Sequence, residues 1–290
     1  MQKATVGNNS GSINWQTLIA VVIFHILAVA ALFTFSWQNL AAGVILWWIA
    51  GSLGIGLGYH RLLTHRGFKA PRWLERTLAV CGSLAMQSGP ITWVTTHRLH
   101  HAFTDTDRDP HSPQKGIFWS HMGWILRGTA QNNSEATRKR YSPDLMRDPF
   151  LVTLDKYYWV PIVIVSIGLF AAGGFSMVLW GVFLKTIVGW HTTWLVNSAT
   201  HLWGSRRFDI RDTSTNNALV AALTFGEGWH NNHHAYPRSA RHGLRWYEVD
   251  VNWIQIKVLE KLGLIKNVYA FELGAAEEEP VELVPIQDAA

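Results

Sequence analysis

Three short histidine clusters hold the side chains of this 290-residue chain most capable of chemistry. His97, His100 and His101 stand at i, i+3 and i+4, within about 100° of arc on an α-helix, so all three rings can face one way. The spacing recurs at His230, His233 and His234, and a wider pair, His60 and His65, precedes both. Neutral imidazole ligates iron, zinc, copper and nickel. One such cluster reads most plainly as solvated surface. Three together, using eight of the fourteen histidines, point to a metal site. Eight imidazoles exceed what one ion takes, so two ions are expected. On a straight helix His60 and His65 lie about 140° apart; they should diverge unless the helix ends between them or they serve different ions. No His-Glu-x-x-His occurs, which argues against a zinc protease. The single cysteine, Cys81, leaves no disulfide framework and no Cys-based zinc or iron–sulfur site. A pair of irons can activate dioxygen and attack unactivated C–H bonds, and at a membrane surface such a centre suggests lipid oxidation.

The elements that must position these residues are apolar. Hydrophobic residues reach 48% and charged residues 16%, against about 25% charged in a typical soluble domain. There are sixteen tryptophans, a residue that favours the membrane–water interface. The net charge of +5 lies beside long apolar spans, so it fits membrane orientation better than nucleic-acid binding. Residues 1–14 are polar, disordered or interfacial, and do not resemble a cleaved signal peptide. The run from Trp15 to Trp37 is long enough to cross a core of about 30 Å. Ser36 to Asn39 make a short turn into a second span, Leu40 to Tyr59, giving one hairpin over 15–59. Its end carries Gly51, Gly54, Gly56 and Gly58, which admit either a packed helix or a bulky group. A second hairpin over 157–199 reverses at Gly173-Gly174.

Apart from Lys3 and Lys185, every Lys and Arg falls within 60–156 or after 200. By the positive-inside rule both termini and the middle segment are cytoplasmic, which puts all three clusters on one face of the membrane. The chain is therefore expected to be one all-α integral membrane domain, 1–290. It has four transmembrane helices and a helical cytoplasmic cap over 60–156 and 200–274, with a solvated tail over 275–290. Within the cap, Thr77 to Val94 reads as an amphipathic helix broken near Pro90. Asp105 to Pro113 reads as a turn-rich loop, Asn132 to Arg140 as polar surface, and Trp253 to Leu262 as helix. His25 is expected to serve helix packing or the interface. His111 and His121 read as structural or orienting residues, and His191 and His242 take no assigned role. Asp107 and Asp109 could orient ligand imidazoles or simply be solvated.

His60-Arg-Leu-Leu-Thr-His65, His97-Arg-Leu-His-His101 and His230-Asn-Asn-His-His234 resemble the three histidine boxes of membrane fatty acid desaturases. Gly58-Tyr-His-Arg-Leu, Asn197-Ser-Ala-Thr-His201 and Gly226-Glu-Gly-Trp-His-Asn-Asn-His-His234 narrow the resemblance to the Δ9, stearoyl-type branch, over about Trp47 to Trp246. The resemblance implies a two-iron centre with dioxygen as co-substrate and nine histidine ligands. Eight are those of the clusters, and the ninth matches His201. Asn197 matches a residue that reaches one iron through water. It also implies a bent acyl tunnel whose lining matches Gln87, Trp93, Thr193 and Trp194, with Gln87 and Thr193 able to hydrogen-bond at the bend. Trp48 is the candidate plug at its far end.

Animal acyl-CoA enzymes carry Arg-Asp just before the second box; here those positions are Thr95 and Thr96. Together with the short chain, the lack of a fused cytochrome b5 region, and Arg241-His-Gly-Leu-Arg-Trp246, this is similar to cyanobacterial acyl-lipid enzymes. The expected substrate is the acyl chain of a glycerolipid rather than acyl-CoA, with ferredoxin favoured over cytochrome b5 as electron donor. The product is a cis double bond, most simply at C9–C10. The alternatives are a related di-iron lipid hydroxylase or ketolase, a metal carrier, whose ligands would be expected inside the spans, and a lipid-binding module.

Overall fold

A computed structural model describes residues 12–128 and 133–274. The amino-terminal segment 1–11, the tail 275–290 and Asn132 lie outside the described residues. Everything described is helix, turn or loop; pairing between extended segments is limited to isolated bridges such as Lys69 with Lys266.

The first apolar run forms α1 (Trp15–Ala31), capped by Asn14, whose side chain accepts from Thr17 N. Ser36 caps α2 (Trp37–Trp47) in the same way. From Trp48 to Thr64 the second helix continues with π-helical hydrogen bonding. The third apolar run, α8 (Val160–Val178), breaks at Gly173 and Gly174. Gly174 has φ 68°, a conformation glycine adopts without steric cost. The chain reverses there and passes through a π-helical stretch, Leu179–Leu184, into α9 (Lys185–Ser198). Both reversals meet at one end of the bundle, where Trp180 Nε1 donates to Ala31 O at 2.8 Å. Trp37–Thr64 and Val160–His201 are long and apolar enough to cross a membrane, and Trp15–Ala31 is a shorter apolar helix. Their outward faces expose Ile19, Ile23, Ile26, Val44, Ile164 and Ile167, as helices facing lipid do.

At the other end sit α3 (Arg72–Ser83), α4 (Pro90–Phe103), α5 (Trp124–Leu126), α6 (Glu135–Tyr141), α7 (Pro149–Lys156), α10 (Ala218–Leu223), α11 (His230–Ala235) and α12 (Val251–Lys261). The amphipathic helix expected over Thr77 to Val94 divides into α3 and α4 around residues 84–89, where Met86 and Ser88 have positive φ. Pro90 opens α4 at its first turn, where a missing N–H costs nothing. The glycine-rich end of the second helix serves packing. A β-carbon at Gly54 would lie 2.4 Å from the backbone of Cys81, and one at Gly58 2.9 Å from Leu78 O, so α3 lies directly on this helix. In return, Gly82 of α3 leaves room for the buried Tyr59 ring.

Candidate metal centre

The non-histidine residues of each box hold the imidazoles in place. Arg98 turns away from its neighbours and donates to Leu63 O at 2.7 Å, Thr64 O at 3.2 Å and Tyr141 O at 2.8 Å. It thereby caps the carbonyl end of the second helix. Asp155 of α7 accepts from Thr92 N at 2.8 Å and so satisfies the start of α4. Arg61 is buried, donating to Glu227 at 2.8 Å, Asp250 at 2.9 Å and Ala240 O at 2.7 Å. Asn231 accepts from the backbone N–H groups of Arg207 and Phe208, and Asn232 donates to His242 O, which anchors the short α11.

Nine histidines converge in two adjacent groups. His60, His65, His97, His101 and His233 form one; His100, His201, His230 and His234 form the other, with the candidate ligand atoms of each group within 4.8 Å of one another. Two expectations from spacing are corrected here. The rings of each i, i+3, i+4 cluster do not all face one way. His97 and His101 serve the first group while His100 serves the second; His230 and His234 serve the second while His233 serves the first. A step of one residue turns a side chain by about 100°, so consecutive histidines fall on either side of the boundary between the groups. Nor do His60 and His65 diverge. The π-helical hydrogen bond from His65 N to His60 O, 3.1 Å, makes five residues close to one turn, and the two rings lie 4.9 Å apart.

Carboxylates fix the tautomers. His60 Nδ1 donates to Glu227, His100 Nδ1 to Asp109 at 3.0 Å, His234 Nδ1 to Asp212 at 3.0 Å, and His201 Nδ1 lies 3.2 Å from Asp105. With the proton on Nδ1, each Nε2 presents a lone pair. Yet His100 Nε2 and His234 Nε2 are only 3.3 Å apart. Two lone pairs at that distance repel unless a cation lies between them. His60 and His201, whose Nδ1 atoms also face carboxylates, likewise bring Nε2 to 3.0 Å from His233 Nε2 and 3.1 Å from His230 Nε2. The donor set therefore fits metal ions held by imidazole and oriented by carboxylates. Burial, reinforced by neighbouring imidazoles, pushes His65, His97, His101, His230, His233 and His234 well below the ordinary imidazole pKa, which keeps them neutral. For His100 the Asp109 carboxylate outweighs burial and raises the value.

Of the two candidate orienting carboxylates, Asp109 is buried against His100, whereas Asp107 is exposed and, among the described residues, engages through its backbone carbonyl, with Lys115. Sequence alone gives no role to Glu227, Asp105 or Asp212. Only Glu227 left a local signal, as an acid between two glycines just before a histidine box. Its carboxyl is held well below the usual range because Arg61, and then His60 and His242, outweigh burial. His242 is buried, 3.4 Å from Glu227. His111 is buried beside Asp109, and burial pushes it down to about 3. His25, His191 and His121 lie apart from both groups, hydrogen-bonded in series at 3.0 Å and 3.0 Å and ending on Ser198.

Two cavities meet at the centre, of about 190 Å³ and about 70 Å³. Both are lined by Gln87, Trp93, His97, Thr193 and Asn197. Gln87 Nε2 donates to Thr193 Oγ1 at 2.9 Å and Trp93 Nε1 to Gln87 Oε1 at 3.3 Å, so the expected hydrogen bond forms where the cavities join. Trp194 lines the larger cavity beside α1. Trp48 lines neither; it is 39% exposed on the outer face, and Trp47, one residue earlier on the helix, faces the smaller cavity instead.

Comparison with known proteins agrees with this geometry. A family model described as fatty acid desaturase matches residues 36–253. The chain is 48% identical over 261 residues to an sn-2 palmitoyl-lipid 9-desaturase of Nostoc sp. (strain 36), covering 90% of this chain and 92% of that one. It is also 48% identical to an sn-1 stearoyl-lipid 9-desaturase of Anabaena variabilis, covering 88% and 94% of the two chains. An icosanoyl-CoA 5-desaturase of Limnanthes douglasii is 42% identical, over 87% of this chain and 71% of its own. The chain belongs to the fatty acid desaturase family and is an oxidoreductase of lipid substrates.

Proposed function

We propose that the chain is an oxygen-dependent Δ9 acyl-lipid desaturase that converts a saturated acyl chain to its cis C9–C10 alkene. Dioxygen, two electrons and two protons are consumed and two waters are formed. The observation that carries this reading is the junction of the two cavities at Gln87, Thr193 and Trp93, directly against His97 of the first histidine group. Two irons, held by His60, His65, His97, His101 and His233 and by His100, His201, His230 and His234, supply the oxidising power when bound. Asn197, which lines both cavities, would reach one of the ions through water. The protein fixes which carbons react: the Gln87–Thr193 bond and the Trp93 ring hold the acyl chain bent at one place, and small displacements there cost rate or selectivity. Asp109, Asp212, Asp105 and Glu227 hold the imidazoles in the ligating tautomer.

The carrier is a membrane glycerolipid. No Lys or Arg lines the larger cavity among the described residues, and a CoA thioester would need cations for its phosphates. Thr95 and Thr96 are both buried and hydrogen-bond to backbone carbonyls of their own helix. The molecule spans the bilayer four times, with the turns at residues 32–36 and 173–174 on one side. The termini, the basic cap and the metal centre lie on the cytoplasmic side as one domain. A basic cap suits an acidic electron carrier such as ferredoxin.

The test is expression in a host lacking this double bond, followed by mass spectrometry of its lipids and of its acyl-CoA pool. New cis-Δ9 chains in the lipids, ahead of any in the CoA pool, support the reading. Absence of new unsaturation with the metal centre loaded and ferredoxin supplied would refute it.

A further inference from the structure

The smaller cavity runs along α9, whose residues Thr193, Gly189, Thr186 and Lys185 line it at helical spacing. Eight residues separate Lys185 from Thr193, about 12 Å along the helix axis, a length comparable with the distal half of a stearoyl chain. The wall also includes Trp47 against Phe225, with ring centroids 4.7 Å apart and the planes tilted by 47°. Two polar side chains that serve neither the bend nor the histidine groups also line it, Lys185 and Thr186. Lys185 is 4% exposed, and its amine makes one hydrogen bond among the described residues, to Leu84 O at 2.6 Å. Thr186 is 1% exposed and its hydroxyl has no partner among the described residues. Neither group does anything for the metal centre, and both are expensive to bury.

We propose that Lys185 and Thr186 set the acyl chain length by forming a polar stop at the far end of the cavity. The inference rests on the proposed desaturase function and replaces Trp48, which faces outward, as the chain-length determinant. A methylene seated along the apolar wall leaves water for a matching surface. A methyl group pushed on to the amine and hydroxyl instead strips two polar groups of any other partner, so longer chains fail to seat with C9–C10 at the bend.

The experiment feeds a desaturase-deficient host palmitate, stearate or arachidate and measures the ratio of long to short Δ9 products. The wild type is run beside Lys185→Met, which keeps the length of the side chain, and Thr186→Val, which keeps its shape. Lys185→Met is expected to raise the ratio by about tenfold, the scale of discrimination that one or two methylenes carry. Thr186→Val should raise it less, and the double bond should stay at C9–C10 in both. A loss of packing alone lowers all chain lengths together and leaves the ratio fixed. If Lys185→Met is inactive on every chain, Thr186→Val must still shift the ratio and Lys185→Arg must not, or the proposal fails. A wild type that desaturates while the variants keep its chain profile overturns the inference alone. A wild type that makes no double bond overturns the desaturase reading and this inference with it.

Discussion

Replacing Asp109 by Asn tests whether the carboxylates act through the metal. Asp109 Oδ2 accepts from His100 Nδ1 at 3.0 Å and from Asp105 N at 2.9 Å, while Oδ1 accepts from His111 N at 3.1 Å. All three partners donate. An asparagine has one oxygen for two such places, so its NH₂ must face either the His111 N–H or the His100 ring. With its oxygen towards His111 N, the NH₂ meets His100, which can accept only by moving its own proton to Nε2, and an Nε2–H cannot ligate. With the oxygen towards His100, two N–H groups collide at His111. Both arrangements disfavour the metallated state.

Loss of such an orienting partner costs metal affinity about 10–100-fold, or about 1.4–2.8 kcal/mol. Asp212→Asn should act similarly through His234, to which Asp212 is bonded at 3.0 Å. Because His100 and His234 belong to the same group, each variant should lose one ion first, at lower chelator concentration, and keep the other. The assay is chelator competition, with metal content read by mass spectrometry and desaturation measured alongside. Asp107→Asn, at an exposed side chain, is the control and should change nothing. Wild-type affinity in both Asp109→Asn and Asp212→Asn would refute the tautomer reasoning, as would equal loss of both ions.

Two further outcomes follow from the same geometry. Six histidines of the centre have pKa values well below 6.5, so below that pH the unfolded chain binds protons that the metal-stripped folded chain refuses. Stability is therefore present above about pH 6.5 and lost as the pH falls towards the folded values; thermal unfolding of chelator-treated protein should hold level from pH 8 to 7 and drop steeply by pH 5, and a flat profile would contradict the burial. Gly54→Ala puts a methyl 2.4 Å from the Cys81 backbone, which rotamer adjustment cannot relieve, so α3 must move at a cost of about 1–3 kcal/mol; a melting temperature equal to wild type would show that α3 does not lie as close as described.

The sequence made the chemistry readable because imidazoles are scarce and were bunched, and the helices readable because apolar runs are long. Spacing failed where regular geometry fails. His60 and His65 look divergent on an α-helix and meet only because the helix widens to π. The turn at Gly173-Gly174 was plain because glycine pairs have few other uses. Asp105 and Asp212 were not, since an acid in a polar loop has the same local signature whether it is solvated or, as here, folded back on to a histidine. Trp48 and Trp47 differ by one register step, which a resemblance of motifs does not resolve.

The exchange of histidines between the groups shows why the boxes come as sets. His97 and His101 face one group while His100 crosses to the other, and His233 crosses back from α11. Each of these two helices therefore contributes to both groups, and neither group can be completed by one segment alone. A helix that rotated by one residue would remove ligands from both groups at once. That coupling explains the work given to the intervening residues: Arg98 and Asp155 fix the rotation of α4, and Asn231 and Asn232 fix that of α11. The residues between and around the histidines thus have a mechanical role: Arg98, Asp155, Asn231 and Asn232, hydrogen-bonded to backbone, hold two short helices at the rotation where the histidine lone pairs converge.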